Sequence, residues 1–214
     1  MRRTRIKICG LTRESDVDAA VDAGADAIGF VLYPKSKRAV TPERAAELAH
    51  RLPPFVTPVL LFVNAQSGEI ARALAQVPQA LLQFHGDETP AECDAPGRAY
   101  LRAVRMREGV DLLDCARRFP RALGLLLDAH VEGYGGAGKA FDWSLIPRDV
   151  GVPVVLSGGL NPANVTDGVL RVRPSAVDVS SGVESAPGIK DAALMRRFCQ
   201  AVREADARLA ATNS

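Results

Sequence analysis

Two residues of this 214-residue chain could trade protons across a shared cavity. Cys9 ends the run Arg5-Ile6-Lys7-Ile8, and Asp128 ends the run Leu125-Leu126-Leu127. A thiolate can remove a proton and a carboxylic acid can donate one, which is the pairing that general acid–base chemistry needs. The thiol acts as a base only when ionised, so its ordinary pKa of about 8.5 must be lowered or a proton relay must serve it. Asp128 must carry a proton to give one away, which calls for burial or a neighbouring negative charge. Each residue alone has a plainer reading: a cysteine in an apolar run is a small core side chain, and an aspartate at its end is a cap or turn former.

Two glycine turns late in the chain point to an anion. The first is Leu156-Ser157-Gly158-Gly159-Leu160 and the second is Ser180-Ser181-Gly182-Val183. Glycine lets backbone N–H groups approach an anion closely, so the backbone at Gly158, Gly159, Ser181 and Gly182 is expected to hold a phosphate. Arg38, in Ser36-Lys37-Arg38, could grip a carboxylate through two parallel hydrogen bonds; Lys35 and Lys37 read as solvated. His85, in Gln83-Phe84-His85-Gly86, is either a ligand contact or a structural hydrogen-bonding group. The stretch from Gly133 to Ala140 carries Gly138-Lys139 but has Ala140 where a nucleotide-binding loop needs Ser or Thr, so nucleotide binding is excluded.

These residues need a scaffold that brings strand ends together. β-branched and apolar runs at 5–9, 27–31, 59–63, 80–84, 99–104, 124–128, 153–157 and 176–179 alternate with helical patterns at 13–23, 42–51, 68–76, 109–118, 162–173 and 191–209. Shorter helical stretches fall at 90–96 and 143–147. Thr12 is the expected N-cap of the first helix and Gly24 its stop. The runs are continuously apolar rather than strictly alternating, as parallel strands covered by helices are. Eight such units predict an α/β fold, a single (βα)8 (TIM) barrel of eight parallel strands over 1–209, with a frayed tail at 210–214. A doubly wound open sheet is the alternative. In a barrel the C-terminal strand ends form the active site, and Cys9, Asp128 and both glycine turns all fall there.

Composition narrows the chemistry further. The chain has 27 basic and 25 acidic residues, a formal charge of +2, too small a surplus to argue for nucleic acid or an anionic membrane surface. Four cysteines and three histidines show no metal-ligand spacing, so neither a metal nor an organic cofactor is expected. Met1-Arg2-Arg3-Thr4-Arg5 leads straight into the first strand with no apolar signal region. A cytoplasmic enzyme acting on a small phosphorylated molecule, with no obligate protein partner, is the expectation.

Taken in order, the motifs resemble one family. Lys7-Ile8-Cys9-Gly10-Leu11-Thr12, Ser36-Lys37-Arg38, Gln83-Phe84-His85-Gly86, Gly135-Gly136-Ala137-Gly138 with Phe141-Asp142-Trp143, Leu156 to Leu160, and Asp178 to Glu184 resemble the signatures of the phosphoribosylanthranilate isomerases. Departures are small: Ala137 stands where threonine is common and Phe84 where leucine is common. The resemblance implies a barrel of the ribulose-phosphate-binding type and an Amadori rearrangement of tryptophan biosynthesis, from N-(5-phosphoribosyl)anthranilate to 1-(2-carboxyphenylamino)-1-deoxyribulose 5-phosphate. It further implies Cys9 as general base, Asp128 as general acid and Arg38 on the anthranilate carboxylate. The histidine-pathway aminoaldose isomerase, which looks to use aspartate at the position of Cys9, and a non-catalytic sugar-phosphate-binding barrel are the rival readings.

Overall fold

A computed structural model describes residues 3–129 and 140–212. Eight parallel strands close into a barrel in chain order: β1 (Arg5–Cys9), β2 (Ala27–Val31), β3 (Thr57–Phe62), β4 (Leu81–Phe84), β5 (Tyr100–Met106), β6 (Gly124–Ala129), β7 (Val154–Leu156) and β8 (Ala176–Val179). The ring is sealed by β1 against β8, with Lys7 opposite Asp178. The closed order excludes the open doubly wound sheet.

The helices are α1 (Glu14–Ala23), α2 (Pro42–Ala49), α3 (Ser67–Gln76), α4 (Pro90–Asp94), α5 (Leu112–Arg118), α6 (Val165–Val172) and α7 (Ala192–Thr212). Local chemistry sets their ends. Thr41 accepts from the Arg44 amide and Pro42 fills the first turn of α2. Thr89 and Glu92 form a reciprocal capping box on α4. Asp111 caps α5, which therefore starts at Leu112 and not at Gly109. Gly24 ends α1 in the left-handed region, as expected, but Arg13 and not Thr12 is its N-cap residue. The Thr12 hydroxyl is used elsewhere, donating to the Gly188 carbonyl at 3.0 Å. Helix α7 runs to Thr212, three residues past the expected end at Leu209.

Alternate residues of each strand divide between two cores. Ile6, Ile8, Ile28, Phe30, Leu60 and Phe62 face outward and pack with helix residues such as Val17, Leu48 and Phe198 in the large outer cluster. Inside the barrel, Leu101, Ala103, Leu126 and Val155 fill one layer, and Cys9, Val31, Leu61 and Val63 fill another nearer the mouth. Burying such side chains fully stabilises by about 1.5–3 kcal/mol each, so the scaffold beneath the mouth is stiff. Beyond β8 a 3-10 turn (Ser181–Val183) leads into a small antiparallel hairpin, β9 (Glu184–Ala186) and β10 (Ile189–Lys190). No run in the sequence marked this hairpin: its strands are only three and two residues long.

Candidate active site

Cys9 is the last residue of β1 and is 4% exposed. Lys7 sits two residues earlier on the same inward face, and its Nζ donates to Asp178 Oδ1 at 2.8 Å. Ser157 donates to the other oxygen of Asp178 at 3.2 Å. A buried polar layer thus lies beneath the thiol. Burial pushes the Cys9 thiol up, while the ammonium groups of Lys7 and Lys190 pull it down and Asp178 pushes it up again. The net direction is upward, although both ammonium groups favour the thiolate. Lys7 itself keeps its charge: burial works against it, but Asp178 and Cys9 outweigh burial and raise its pKa.

Asp128 ends the inward-facing row of β6. Its Oδ1 accepts the Ala129 amide at 2.9 Å, and its Oδ2 lies 2.9 Å from His85 Nε2. The other ring nitrogen of His85 lies 3.0 Å from Gln83 Nε2. Both nitrogens of His85 are therefore engaged with the protein, while the residue also lines the cavity. The His85 amide donates to Phe62 O at 2.9 Å, which continues the β3–β4 ladder into the mouth.

Arg38 reaches across the mouth, but its fork is already occupied. Nε and Nη2 each donate to Glu184 at 2.7 Å, in a bidentate pair. Lys190 Nζ donates to the same carboxylate at 2.8 Å. Arg38 and Lys190 hold Glu184 well ionised against the opposing effect of burial. The two parallel bonds expected for a ligand carboxylate are thus made to the protein itself, a partner that sequence order could not suggest across 146 residues.

The glycine turns meet as one wall. Gly158 and Gly159 adopt φ of 76° and 69°, a region that side-chain-bearing residues avoid. A Cβ on Gly158 would stand 2.2 Å from Ala129 N, and one on Gly182 would stand 1.9 Å from Leu160 O. Only glycine lets the ends of β6, β7 and β8 approach this closely. Asn164 braces the first turn by donating to Gly159 O at 2.9 Å. Cys9, Asp128, Arg38 and His85 line one cavity with Gly158, Gly159 and Ser181. Gly182 lines the adjoining cleft, which shares Arg38, Gly159 and Ser181 with the first. All eight residues expected from the sequence are brought to one mouth. The polar layer of Lys7, Asp178 and Ser157 and the engagement of Arg38 by Glu184 were not read from the sequence. The loop from Gly133 to Lys139 lies outside the described residues, as does His130. Among the described residues no group of three or more His, Cys, Asp or Glu side chains could hold a metal ion, and no helix is long and apolar enough to cross a membrane.

A closed eight-stranded barrel whose mouth gathers a thiol, a carboxyl group and a glycine wall has the architecture of a (βα)8-barrel isomerase, and comparison with known proteins bears out that class. Residues 6–201 match the family model of N-(5′-phosphoribosyl)anthranilate isomerase. The chain is 73% identical to the isomerase of that name from Leptothrix cholodnii over 206 residues, covering 96% of this chain and 94% of the relative. It is 71% identical to that from Methylibium petroleiphilum over 210 residues, covering 98% and 99%. Among solved structures, phosphoribosyl anthranilate isomerase from Thermotoga maritima superposes with a TM-score of 0.82 at 43% identity, over 94% of this chain and 99% of that one. A phosphoribosyl anthranilate isomerase in complex with reduced 1-(o-carboxyphenylamino)-1-deoxyribulose 5-phosphate superposes with a TM-score of 0.79 at 40% identity, over 94% and 99%. The chain belongs to the N-(5′-phosphoribosyl)anthranilate isomerase family and is an isomerase of tryptophan biosynthesis.

Proposed function

We propose that this mouth carries out the Amadori rearrangement of N-(5′-phosphoribosyl)anthranilate with Cys9 as base and Asp128 as acid. The observation that carries the reading is the placing of both groups, with the glycine wall, around one cavity. Asp128 gives its proton to the ribose ring oxygen. The bond from that oxygen to sugar carbon 1 breaks, and the nitrogen lone pair closes the C=N bond of a protonated Schiff base. Cys9 thiolate takes the proton from carbon 2; that electron pair forms the C1=C2 bond, and the C=N pair returns to nitrogen. The resulting enolamine becomes the aminoketose when carbon 1 gains the proton held by Cys9 and the 2-hydroxyl proton returns to Asp128. Protons and electrons balance within the substrate and these two side chains.

The backbone of Gly158, Gly159, Ser181 and Gly182 holds the phosphate in this reading. A fixed remote phosphate orients the sugar between acid and base, converting binding into a lower barrier. Arg38 presents what its pairing with Glu184 leaves over, the far edge of the guanidinium, towards the anthranilate carboxylate. His85 stands behind Asp128. The enzyme works in the cytoplasm as a catalyst of a small phosphorylated substrate, without nucleic acid, membrane or an obligate protein partner.

The test is exchange at sugar carbon 2 in heavy water. An isomerase with this base removes the hydrogen of carbon 2 and delivers a proton or deuteron to carbon 1 through Cys9, and Cys9→Ala abolishes both that transfer and turnover. A protein that binds the sugar phosphate yet catalyses no chemistry at carbon 2 would be a binding barrel. Turnover by Cys9→Ala within threefold of the unmodified enzyme would remove Cys9 from the base role, since a general base step is typically worth about 10²–10⁴-fold.

A further inference from the structure

Gln83 is wholly buried on β4, two residues before His85 on the same inward face. Its Nε2 faces His85 Nδ1 at 3.0 Å, while its Oε1 is buried with no hydrogen-bond partner. Either orientation of this amide leaves one end without a partner, so the orientation is set by which nitrogen of His85 carries the proton. The oxygen and nitrogen of an amide exchange places by a half-turn about the last side-chain bond. In the orientation with Nε2 towards the ring, Nδ1 must be the acceptor. The imidazole then carries its one proton on Nε2 and donates it to Asp128, which supports a carboxylate there. That arrangement opposes an acid. In the turned orientation Oε1 accepts an Nδ1–H, and Nε2 faces Asp128 Oδ2 across 2.9 Å with its lone pair.

We propose that Gln83 is a positioning residue for the acid step, whose Oε1 accepts the Nδ1–H of His85 so that Nε2 and Asp128 Oδ2 share the one proton that the reaction spends. The inference rests on the assignment of Asp128 as acid. Asp128 Oδ1 is held by the Ala129 amide at 2.9 Å, which leaves Oδ2 as the oxygen that carries the proton. Donation to the ring oxygen breaks the Oδ2–H bond and leaves a lone pair of Nε2 facing a lone pair of Oδ2. The pair is then poised to take the 2-hydroxyl proton of the enolamine, which reloads the acid within the same turnover. Gln83 does this through the ring it steers.

The test is the tautomer of His85 in the substrate-free enzyme, read by long-range proton–nitrogen NMR on protein labelled with 15N-histidine. His85→Asn assigns the signal among the three histidines. The expected result is a protonated Nδ1 at the pH of full turnover. A bare Nδ1 with a fully protonated Nε2 overturns the proposal. Kinetics supply the second arm. Gln83→Met, which neither accepts nor donates, is expected to lower kcat by about tenfold or more with KM within about threefold. Gln83→Glu, which accepts but cannot donate, is expected to recover most of that loss. A Gln83→Glu enzyme as slow as Gln83→Met, or a Gln83→Met enzyme with unchanged kcat, overturns it. If the buried substitutions prevent folding, the tautomer of the unmodified protein decides alone. That spectrum needs no turnover, so an enzyme inactive on phosphoribosylanthranilate would sink the functional reading while the tautomer still judged this one.

Discussion

Arg38 and Glu184 form a bidentate pair, with Nε and Nη2 each 2.7 Å from a carboxylate oxygen, and so tie the exit of β2 to the exit of β8. The arginine that faces the cavity is positioned by the protein's own carboxylate before any substrate arrives. Glu184 also neutralises Lys190, whose amine is fully buried. Glu184→Gln is therefore expected to do two things. KM for the substrate rises about tenfold with little change in kcat, because the arginine loses the fork that aims it. Stability falls by about 3 kcal/mol, because a buried ammonium and a guanidinium lose their counter-charge. Steady-state kinetics and denaturant unfolding check both; an unchanged KM would mean that Glu184 does not aim Arg38.

The pH profile should report the base. Burial holds the Cys9 thiol above its ordinary range, and the proposed base is the thiolate. Alkylation of Cys9 by iodoacetamide is then expected to quicken about tenfold per pH unit through neutrality, flattening only once the thiol ionises. Lys7 pulls the thiol pKa down, so removing its charge should push the rising limb to higher pH. Lys7→Met alone would strand Asp178, so the informative variant is Lys7→Met with Asp178→Asn. At neutral pH both turnover and alkylation of Cys9 by iodoacetamide should be slower, because the pull of Lys7 on the thiol exceeds the push of Asp178. An alkylation rate flat from about pH 6 to 8.5 would deny that burial holds the thiol up.

The glycine wall makes its own forecast. Gly182→Ala places a methyl 1.9 Å from Leu160 O, so the ends of β7 and β8 must separate. KM should rise by about tenfold or more, and competitive inhibition by inorganic phosphate should weaken in parallel. Gly158→Ala meets Ala129 N at 2.2 Å and Asp128 Oδ1 at 2.9 Å. It should lower kcat as well as raise KM, since it moves the acid. Equal effects on kcat in the two variants would show that the turns are not divided in this way.

The barrel was legible because every strand is a short apolar run followed by a helix signal. β1, β2 and β8 fall at their expected bounds. β7 contracts to Val154–Leu156 because the left-handed Gly158 and Gly159 end it early. β3 starts at Thr57, through Pro58, because barrel pairing with β2 recruits residues that local propensity leaves out. In the site, strand ends marked Cys9, Asp128 and the glycine turns, since their position follows from the repeat alone. The partners of those residues were not legible. Lys7 and Asp178 are 171 residues apart, and only closure of the ring faces them. Glu184 was visible within a motif, yet nothing in the order of residues said that it would take the fork of Arg38. Gln83 sat in a quoted motif too, but its meaning depends on which end of its amide meets His85 inside the barrel.

The central claim is that Cys9 and Asp128 rearrange phosphoribosylanthranilate between them. The most direct measurement follows the loss of fluorescence of freshly prepared phosphoribosylanthranilate with the unmodified enzyme beside Cys9→Ser and Asp128→Asn. The account expects rapid consumption by the unmodified enzyme and a fall of at least about 10²-fold in each variant, with both variants folded. Rapid consumption that survives either substitution would contradict the assignment of that residue, and a folded unmodified enzyme that leaves the substrate untouched would contradict the account as a whole.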